Sequence, residues 1–149
     1  MKKIHDIIAT VGGLGRLPLA PGTWGSLAGL GLCLILHGNT VWYLITFVAL
    51  FAVGVISSDK VEAESGQKDP RSVVIDEFAC IFLVYLFIPL NLSVIIAGFV
   101  LYRVFDITKV PPMRSLENLK GGWAIMLDDL AAAIYSNLIL RILLHYNIL

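Results

Sequence analysis

The sequence predicts an all-α fold: a compact helical membrane protein with short helical hairpins whose charged loops gather at one face. Hydrophobic residues make up 58% of the 149 residues and charged residues 15%, against about 25% charge in a typical soluble domain. The mean hydropathy is +0.84. The apolar runs are long and do not alternate with polar residues, which favours helices over strands.

The chain is predicted to form a single domain, residues 1–149, because no glycine- and serine-rich linker or block of charge divides it. The formal net charge is zero, so no overall basic field indicates a nucleic-acid partner. Cys33 and Cys80 lie inside apolar runs. They predict buried, reduced thiols rather than a disulfide framework or a metal site.

The first element is predicted from apolar residues at helical spacing, namely Ile4, Ile7, Ile8 and Val11. This pattern is typical of a short amphipathic helix that lies on a surface. A glycine-rich segment follows at residues 12–26. Its glycines would let backbone N–H groups approach an anion, although a capped turn into an apolar helix is the alternative interpretation. Thr23 or Ser26 is predicted to cap that helix, and the spacing of Gly25 and Gly29 predicts a close contact between helices.

The longer elements follow from four apolar stretches, at residues 27–36, 41–56, 78–102 and 130–149. The first two are each shorter than the roughly 20 residues that a full membrane span needs. A polar turn at 37–40 separates them, and Pro89, Asn91 and Ser93 interrupt the third stretch. We therefore expect helical hairpins that reverse at these two places.

The charges support this hairpin arrangement. Neither turn carries Lys, Arg, Asp or Glu, whereas the N-terminal segment and the loops at 57–77 and 103–123 are rich in basic residues. Two hairpins would bring all the charged loops to one membrane face, which the positive-inside rule predicts to be cytoplasmic. If 78–102 were instead one crossing, it would put the two loops on opposite sides.

Two pairs of acidic residues, Asp76-Glu77 and Asp128-Asp129, stand at the edges of apolar runs. An ionised carboxylate beside hydrocarbon is costly unless a cation, hydrogen bonds or water compensate it. Two such pairs predict a bound divalent metal at the membrane edge, and carboxylate oxygens are ligands that Mg²⁺ prefers. The alternative is that the acids only mark helix starts, where they interact favourably with the helix dipole. Asp59, Glu62 and Glu64 are interpreted as a solvated helix face.

Arg103, Asp106 and Lys109 are spaced so that one helix, ending before Pro111-Pro112, would align them. A cation, an acid and a cation on one stripe suit a phosphate group together with a metal. Neither cysteine is followed by arginine six positions later, and the sequence contains no D-x-D motif. Attack by water with the help of a metal is therefore the simplest hydrolytic route.

Four motifs occur in order along the chain: GRLPLAPGTWGSL, DPRSVVIDE, YRVFDITKVPP and GGWAIMLDD. Together they resemble the phosphatidylglycerophosphatase A family over roughly residues 12–133. The resemblance implies an all-helical, Mg²⁺-dependent phosphatase of the bacterial inner membrane. Such an enzyme removes the terminal phosphate of phosphatidylglycerophosphate, a membrane lipid, to give phosphatidylglycerol. We expect its site to face the cytoplasm.

The resemblance carries roles over to nine polar residues. The predicted catalytic residues are Asp76, Glu77, Asp106, Asp128 and Asp129, and the predicted metal ligands are Asp76, Glu77, Asp128 and Asp129. Arg16, Thr23, Arg103 and Lys109 are the predicted substrate-binding residues. The chain departs from the family pattern at Val110, Ala79-Cys80 and Trp123-Ala124, beside the motifs rather than in their charged members.

Two other functions are alternatives to this prediction. A related helical phosphatase could act on another phosphorylated lipid or on a soluble phosphate ester. A small, non-enzymatic transport or assembly subunit could use intramembrane acids to bind cations. The second alternative predicts charges distributed through the apolar stretches, which hold almost none besides Arg141.

Overall fold

The structure is a computed structural model that describes residues 2–111, 116 and 119–149, without the side chain of Lys2. Pro112, the second residue of the predicted helix stop, lies outside the described residues. The described part contains six α-helices and no strand, which confirms the all-α prediction. They are α1 (Lys2–Ala9), α2 (Pro21–Leu36), α3 (Thr40–Ser65), α4 (Ile75–Val84), α5 (Leu92–Thr108) and α6 (Gly122–His145).

The short helix α4 lies at the centre of the fold, packed mainly against α2, α3 and α6. Its sequence is apolar all round after the first turn, as expected of a helix surrounded by others. Five of its side chains are completely buried: Ala79, Cys80, Ile81, Phe82 and Val84. Cys33 and Cys80 are both buried free thiols, as predicted.

Small residues let α2 approach α4 closely. A Cβ atom added to Gly25 would lie 2.9 Å from the Val74 carbonyl oxygen, and one added to Gly29 would lie 2.2 Å from that of Phe78. Any larger residue would therefore force the two backbones apart. The predicted helix contact at Gly25 and Gly29 is confirmed.

Two turns reverse the chain at the same end of the bundle. The first separates α2 from α3 at residues 37–39, and the second separates α4 from α5 at residues 85–91. His37 Nε2 donates a hydrogen bond of 3.0 Å to the carbonyl of Ile88, which links the turns. The hairpin prediction is confirmed, but the second break begins earlier than the predicted dent at 89–93.

The early end of α4 has a tertiary cause. The Asn137 side-chain amide donates to three carbonyls at the end of α4, at 2.9–3.1 Å, those of Leu83, Val84 and Leu86. Arg141 donates to the Leu86 carbonyl at 3.0 Å and to the Asn137 side chain at 2.8 Å. These α6 side chains satisfy carbonyls that a helix end leaves without partners.

The start of α6 is held by acidic residues of α3. The Gly122 N–H donates to Asp59 Oδ1 at 3.4 Å, and the Gly121 N–H donates to Glu62 Oε1 at 3.1 Å. Carboxylates are favourable at a helix N-terminus because of the helix dipole. Glu64 is exposed as predicted, whereas the spacing alone did not indicate this capping role of Asp59 and Glu62.

The N-terminal helix forms as predicted and packs against α3. It leaves Ile4 and Ile7 exposed and ends at Ala9, before Val11, whose φ is 48°. Among the described helices, α3 alone is long and apolar enough, by length and composition, to cross a bilayer.

Candidate functional site

Three carboxylates converge where the N-termini of α4 and α6 meet. Asp76 and Glu77 lie in the first turn of α4, and Asp129 lies in the second turn of α6. One oxygen of each lies within 4.8 Å of the others. Asp76 and Asp129 are only 7% and 3% exposed. We call this group the carboxylate triad.

Burial dominates the electrostatics of the triad. Desolvation, followed by repulsion from neighbouring carboxylates, raises the pKa of Asp76 well above its usual range, and the same causes raise the pKa of Asp129. Burial also raises the pKa of Glu77, although a hydrogen bond with Asp76 and the charge of Arg103 oppose it. Without a cation the triad therefore holds its protons to a higher pH than ordinary carboxyl groups do, and a divalent cation would displace them.

The hydrogen bonding of the triad fits a hard cation. Tyr102, which is completely buried, donates to Asp129 Oδ2 at 2.7 Å. Asp76 Oδ1 and Glu77 Oε2 are buried and accept no hydrogen bond from the residues that the structure describes. Leaving such oxygens unsatisfied is costly, and Mg²⁺ binds oxygen ligands of this kind.

Arg103 stands beside the triad in a fixed position. Its guanidinium lies 2.8 Å from Asp106 Oδ2 and 3.7 Å from Glu77 Oε1. It also donates to Ser26 Oγ on α2 at 3.2 Å, so Ser26 contacts the site instead of capping α2 as predicted. Gly22 makes room for this pair, because a Cβ there would lie 1.9 Å from Glu77 Oε1.

The fourth predicted metal ligand, Asp128, is not one of the three converging carboxylates. Its Oδ2 lies 2.6 Å from Lys109 Nζ, just beyond the end of α5. Neighbouring helical residues point about 100° apart, so Asp128 and Asp129 face different partners. Because α6 begins at Gly122, neither acid lies in its first turn. The alternative in which this pair marks a helix start is therefore wrong.

These groups open into one cavity of about 390 Å³, within the size range of small-molecule sites. Acidic residues from four segments meet cations there. The cavity is lined by Ala20, Pro21, Gly22, Asp69, Arg71, Val73, Asp76, Glu77, Arg103, Asp106, Lys109, Ile125, Asp128 and Asp129. Seven of the nine predicted site residues are thus brought together.

The other two predicted residues do not line this cavity. Arg16 is exposed and forms an ion pair with Asp6, and Thr23 is half-buried in the first turn of α2. Their roles in substrate binding stay predictions. The prediction that Thr23 caps the helix is wrong, because α2 starts at Pro21 and Ala20 occupies its N-cap position. Ala20 forms no side-chain capping hydrogen bond.

Four polar residues of the site were not predicted from the sequence to belong to it: Ser26, Asp69, Arg71 and Tyr102. Tyr102 stands four positions before Asp106 on α5, so helical spacing could have placed it on the same face. Asp69 and Arg71 lie in the motif that leads into α4. Ser26 carries no comparable signal, because only the tertiary fold brings it to Arg103, on a different helix.

The sequence profile of phosphatidylglycerophosphatase A matches residues 7–144. Phosphatidylglycerophosphatase A of Haemophilus influenzae is 41% identical over 140 residues, 91% of this chain and 85% of the relative. That of Escherichia coli is 32% identical over 158 residues, 98% of this chain and 87% of the relative. A protein of Bacteroides thetaiotaomicron named putative phosphatidylinositol-3-phosphatase is 34% identical over 145 residues, 91% of both chains. No solved structure matches significantly.

Proposed function

This chain belongs to the phosphatidylglycerophosphatase A family and is a phosphoric monoester hydrolase. From that premise we propose that it removes the terminal phosphate of phosphatidylglycerophosphate with Mg²⁺ as its cofactor. The observation that carries the proposal is the meeting of the carboxylate triad with Arg103 and Lys109 in one cavity. A phosphatase needs such a combination, since it must bind an anion and stabilise the charge that develops on it.

In this proposal Asp76, Glu77 and Asp129 hold the metal, because their oxygens converge and two of them lack hydrogen bonds. When bound, Mg²⁺ supplies a Lewis acid that polarises a phosphoryl oxygen and lowers the pKa of a bound water. Tyr102 fixes the orientation of Asp129 through its hydrogen bond. Partners that orient metal ligands commonly matter for metal affinity.

Arg103 and Lys109 would bind the oxygens of the reacting phosphate. Asp106 and Ser26 hold the guanidinium of Arg103, so little conformational freedom is lost when it binds an anion. Asp128 positions the ammonium group of Lys109. The proposed roles of Asp106 and Asp128 are therefore to orient the two cations.

We also propose that the protein resides in the bacterial inner membrane, with the cavity facing the cytoplasm. Support comes from the apolar helix α3 and from the two uncharged turns at the opposite end of the bundle. Large apolar side chains are exposed near those turns, including Ile35, Trp42, Phe87 and Leu92. The acyl chains of the substrate would then remain in the bilayer beside the helices.

A second candidate substrate is phosphatidylinositol 3-phosphate. The observation that favours it is the 34% identity to the Bacteroides thetaiotaomicron relative with that activity in its name. Both lipids carry a phosphate monoester on a polyol that a phosphodiester joins to diacylglycerol. The same triad and cations could therefore serve either lipid.

The test is phosphate release by the purified protein from each lipid in neutral detergent micelles, with Mg²⁺ or with a chelator. We expect release from phosphatidylglycerophosphate that requires Mg²⁺. Preference for phosphatidylinositol 3-phosphate would establish the second candidate in its place. Failure to hydrolyse both lipids would refute the proposed function, and hydrolysis that a chelator leaves unchanged would refute the role of the metal.

A further inference from the structure

The cations that line the cavity are not equivalent. Arg103 is paired with Glu77 and Asp106, and Lys109 is paired with Asp128. Arg71 lines the same cavity, yet it forms no ion pair or hydrogen bond within the described part of the chain. Its charge is therefore available to an anion that enters from outside.

The backbone holds Arg71 in place at the mouth of the cavity. Arg71 and Ser72 form the corner of a turn that the Val73 N–H closes by donating to the Pro70 carbonyl at 2.8 Å. The next N–H, that of Val74, donates to the Ala9 carbonyl at 2.9 Å. Because the turn is anchored on both sides, the backbone at Arg71 loses little conformational freedom when the side chain binds an anion.

Packing against the segment around Gly15 also anchors this turn. A Cβ atom added to Gly15 would lie 1.9 Å from the Ser72 carbonyl oxygen, so the backbone near Leu14–Arg16 presses directly against the corner. Pro70, one residue before Arg71, is buried. The side chain of Arg71 itself remains exposed beside the cavity.

The proposed substrate carries two anionic groups, the terminal phosphate and the phosphodiester that joins the headgroup to diacylglycerol. In the proposed function the triad with its metal, Arg103 and Lys109 bind the reacting phosphate, and they leave the second anion without a cation. We infer that Arg71 binds this phosphodiester and so selects lipids whose reacting phosphate is separated from diacylglycerol by a second phosphate. Arginine suits this role because its planar fork can donate two hydrogen bonds to one phosphate group.

This inference rests on the proposed function and is tested with Arg71→Ala, Arg71→Lys and the matched control Lys60→Ala, which changes an exposed cation of α3 outside the cavity. Two quantities are measured in the same neutral micelles. One is kcat/KM for phosphatidylglycerophosphate. The other is the inhibition constant of phosphatidic acid, which has acyl chains and a phosphate monoester but no phosphodiester. Thermal unfolding verifies that each variant is folded.

Arg71→Ala should lower kcat/KM about 10- to 100-fold, mainly through KM, as expected for loss of a hydrogen bond between charged groups. Inhibition by phosphatidic acid should weaken less than about twofold, since that lipid lacks the second anion. Arg71→Lys should fall between wild type and Arg71→Ala, and Lys60→Ala should match wild type.

Three outcomes would overturn the inference. An equal loss for both lipids would mean that Arg71 attracts anionic lipid in general or serves the reacting phosphate. No loss for either lipid would remove Arg71 from substrate binding. If the wild-type protein released no phosphate from phosphatidylglycerophosphate, the proposed function itself would be refuted. The first two outcomes, in contrast, require an active wild-type enzyme and refute only the role of Arg71.

Discussion

At one end of the bundle, six carboxylates and three cations line a single cavity, whereas the turns at the opposite end, 37–39 and 85–91, contain no Asp, Glu, Lys or Arg. The central helix α4 connects the two ends. Its N-terminal turn contributes Asp76 and Glu77, and its C-terminal carbonyls are bound by Asn137 and Arg141. Acids at the N-terminus and a cation at the C-terminus both match the helix dipole.

The polar groups at one end of the bundle stabilise the fold, whereas those at the other end are suited to binding a ligand. At the end with the two turns, Asn137 and Arg141 complete the hydrogen bonding of a helix end, so they contribute to stability. At the end with the cavity, Asp76 Oδ1 and Glu77 Oε2 are buried without hydrogen bonds from the described part of the chain, so they reduce stability until a ligand satisfies them. Groups of this second kind are expected at functional sites. The predictions below test this division of roles, from the largest expected effect to the smallest.

Asp76→Asn should lower the rate of Mg²⁺-dependent phosphate release by about 10³-fold or more, because it removes a charged ligand from the site that activates water. The metal-free variant should be at least as stable as wild type, since asparagine replaces a buried carboxyl group whose ionisation is disfavoured by burial and by neighbouring carboxylates. Steady-state kinetics and thermal unfolding measure the two effects. Glu64→Gln, an exposed change on α3, is the control. Near-normal activity of Asp76→Asn would show that the acids have no part in metal binding.

Arg103→Ala should lower kcat/KM by about 10²- to 10³-fold, by analogy with the loss of one preorganised donor to a transition state. Arg103→Lys should not restore full activity, because lysine lacks the planar fork. The affinity for Mg²⁺ should change little in both variants, since arginine is not a ligand. A joint titration of lipid and Mg²⁺ separates these quantities, and an unchanged kcat/KM would remove Arg103 from the site.

Asn137→Ala should destabilise the protein by about 1–3 kcal/mol, because carbonyls at the end of α4 lose their partner. The kcat/KM of the folded protein should stay near that of wild type. Thermal unfolding in detergent and the lipid assay measure the two effects, and Leu138→Ala is the control on an exposed neighbour. A large loss of kcat/KM in the folded variant would show that the end of α4 also contributes to activity, which would contradict the separate roles of the two ends.

The affinity for Mg²⁺ should rise with pH. Burial and neighbouring carboxylates raise the pKa of Asp76 and Asp129 in the metal-free protein, so the metal must displace protons. The affinity should increase by at most about tenfold per pH unit for each proton released. These protons stabilise the metal-free fold at low pH, and that contribution is lost as pH rises through the raised pKa values. Calorimetry in buffers of different ionisation enthalpy counts the protons, and pH-independent binding would contradict the prediction.

The sequence predicted most of the fold because its signals are local. The polar turn at 37–40 and the glycines of α2 act through backbone conformation and size, and both predictions are confirmed. The end of α4 was placed too late, because Asn137, more than fifty residues away in the chain, binds its last carbonyls. A signal of that kind exists only after the helices have packed.

The same distinction applies to the site. The motifs identified the charged residues, but a motif does not show which carboxylates share a ligand. Asp128 and Asp129 are adjacent in sequence, yet the helix directs one to Lys109 and the other to Tyr102. Ser26 was missed as a contact of Arg103, because that contact joins residues 77 positions apart.

We expect Asp76, Glu77 and Asp129 to form one cation site from which Asp128 is excluded. Isothermal titration of Mg²⁺ into wild type, Asp129→Asn and Asp128→Asn tests it without reference to any substrate. Asp129→Asn should abolish measurable binding, whereas Asp128→Asn should retain binding with an affinity within about tenfold of wild type, as expected for a nearby charge that is not a ligand. Equal loss in the two variants, or loss in Asp128→Asn alone, would contradict the account.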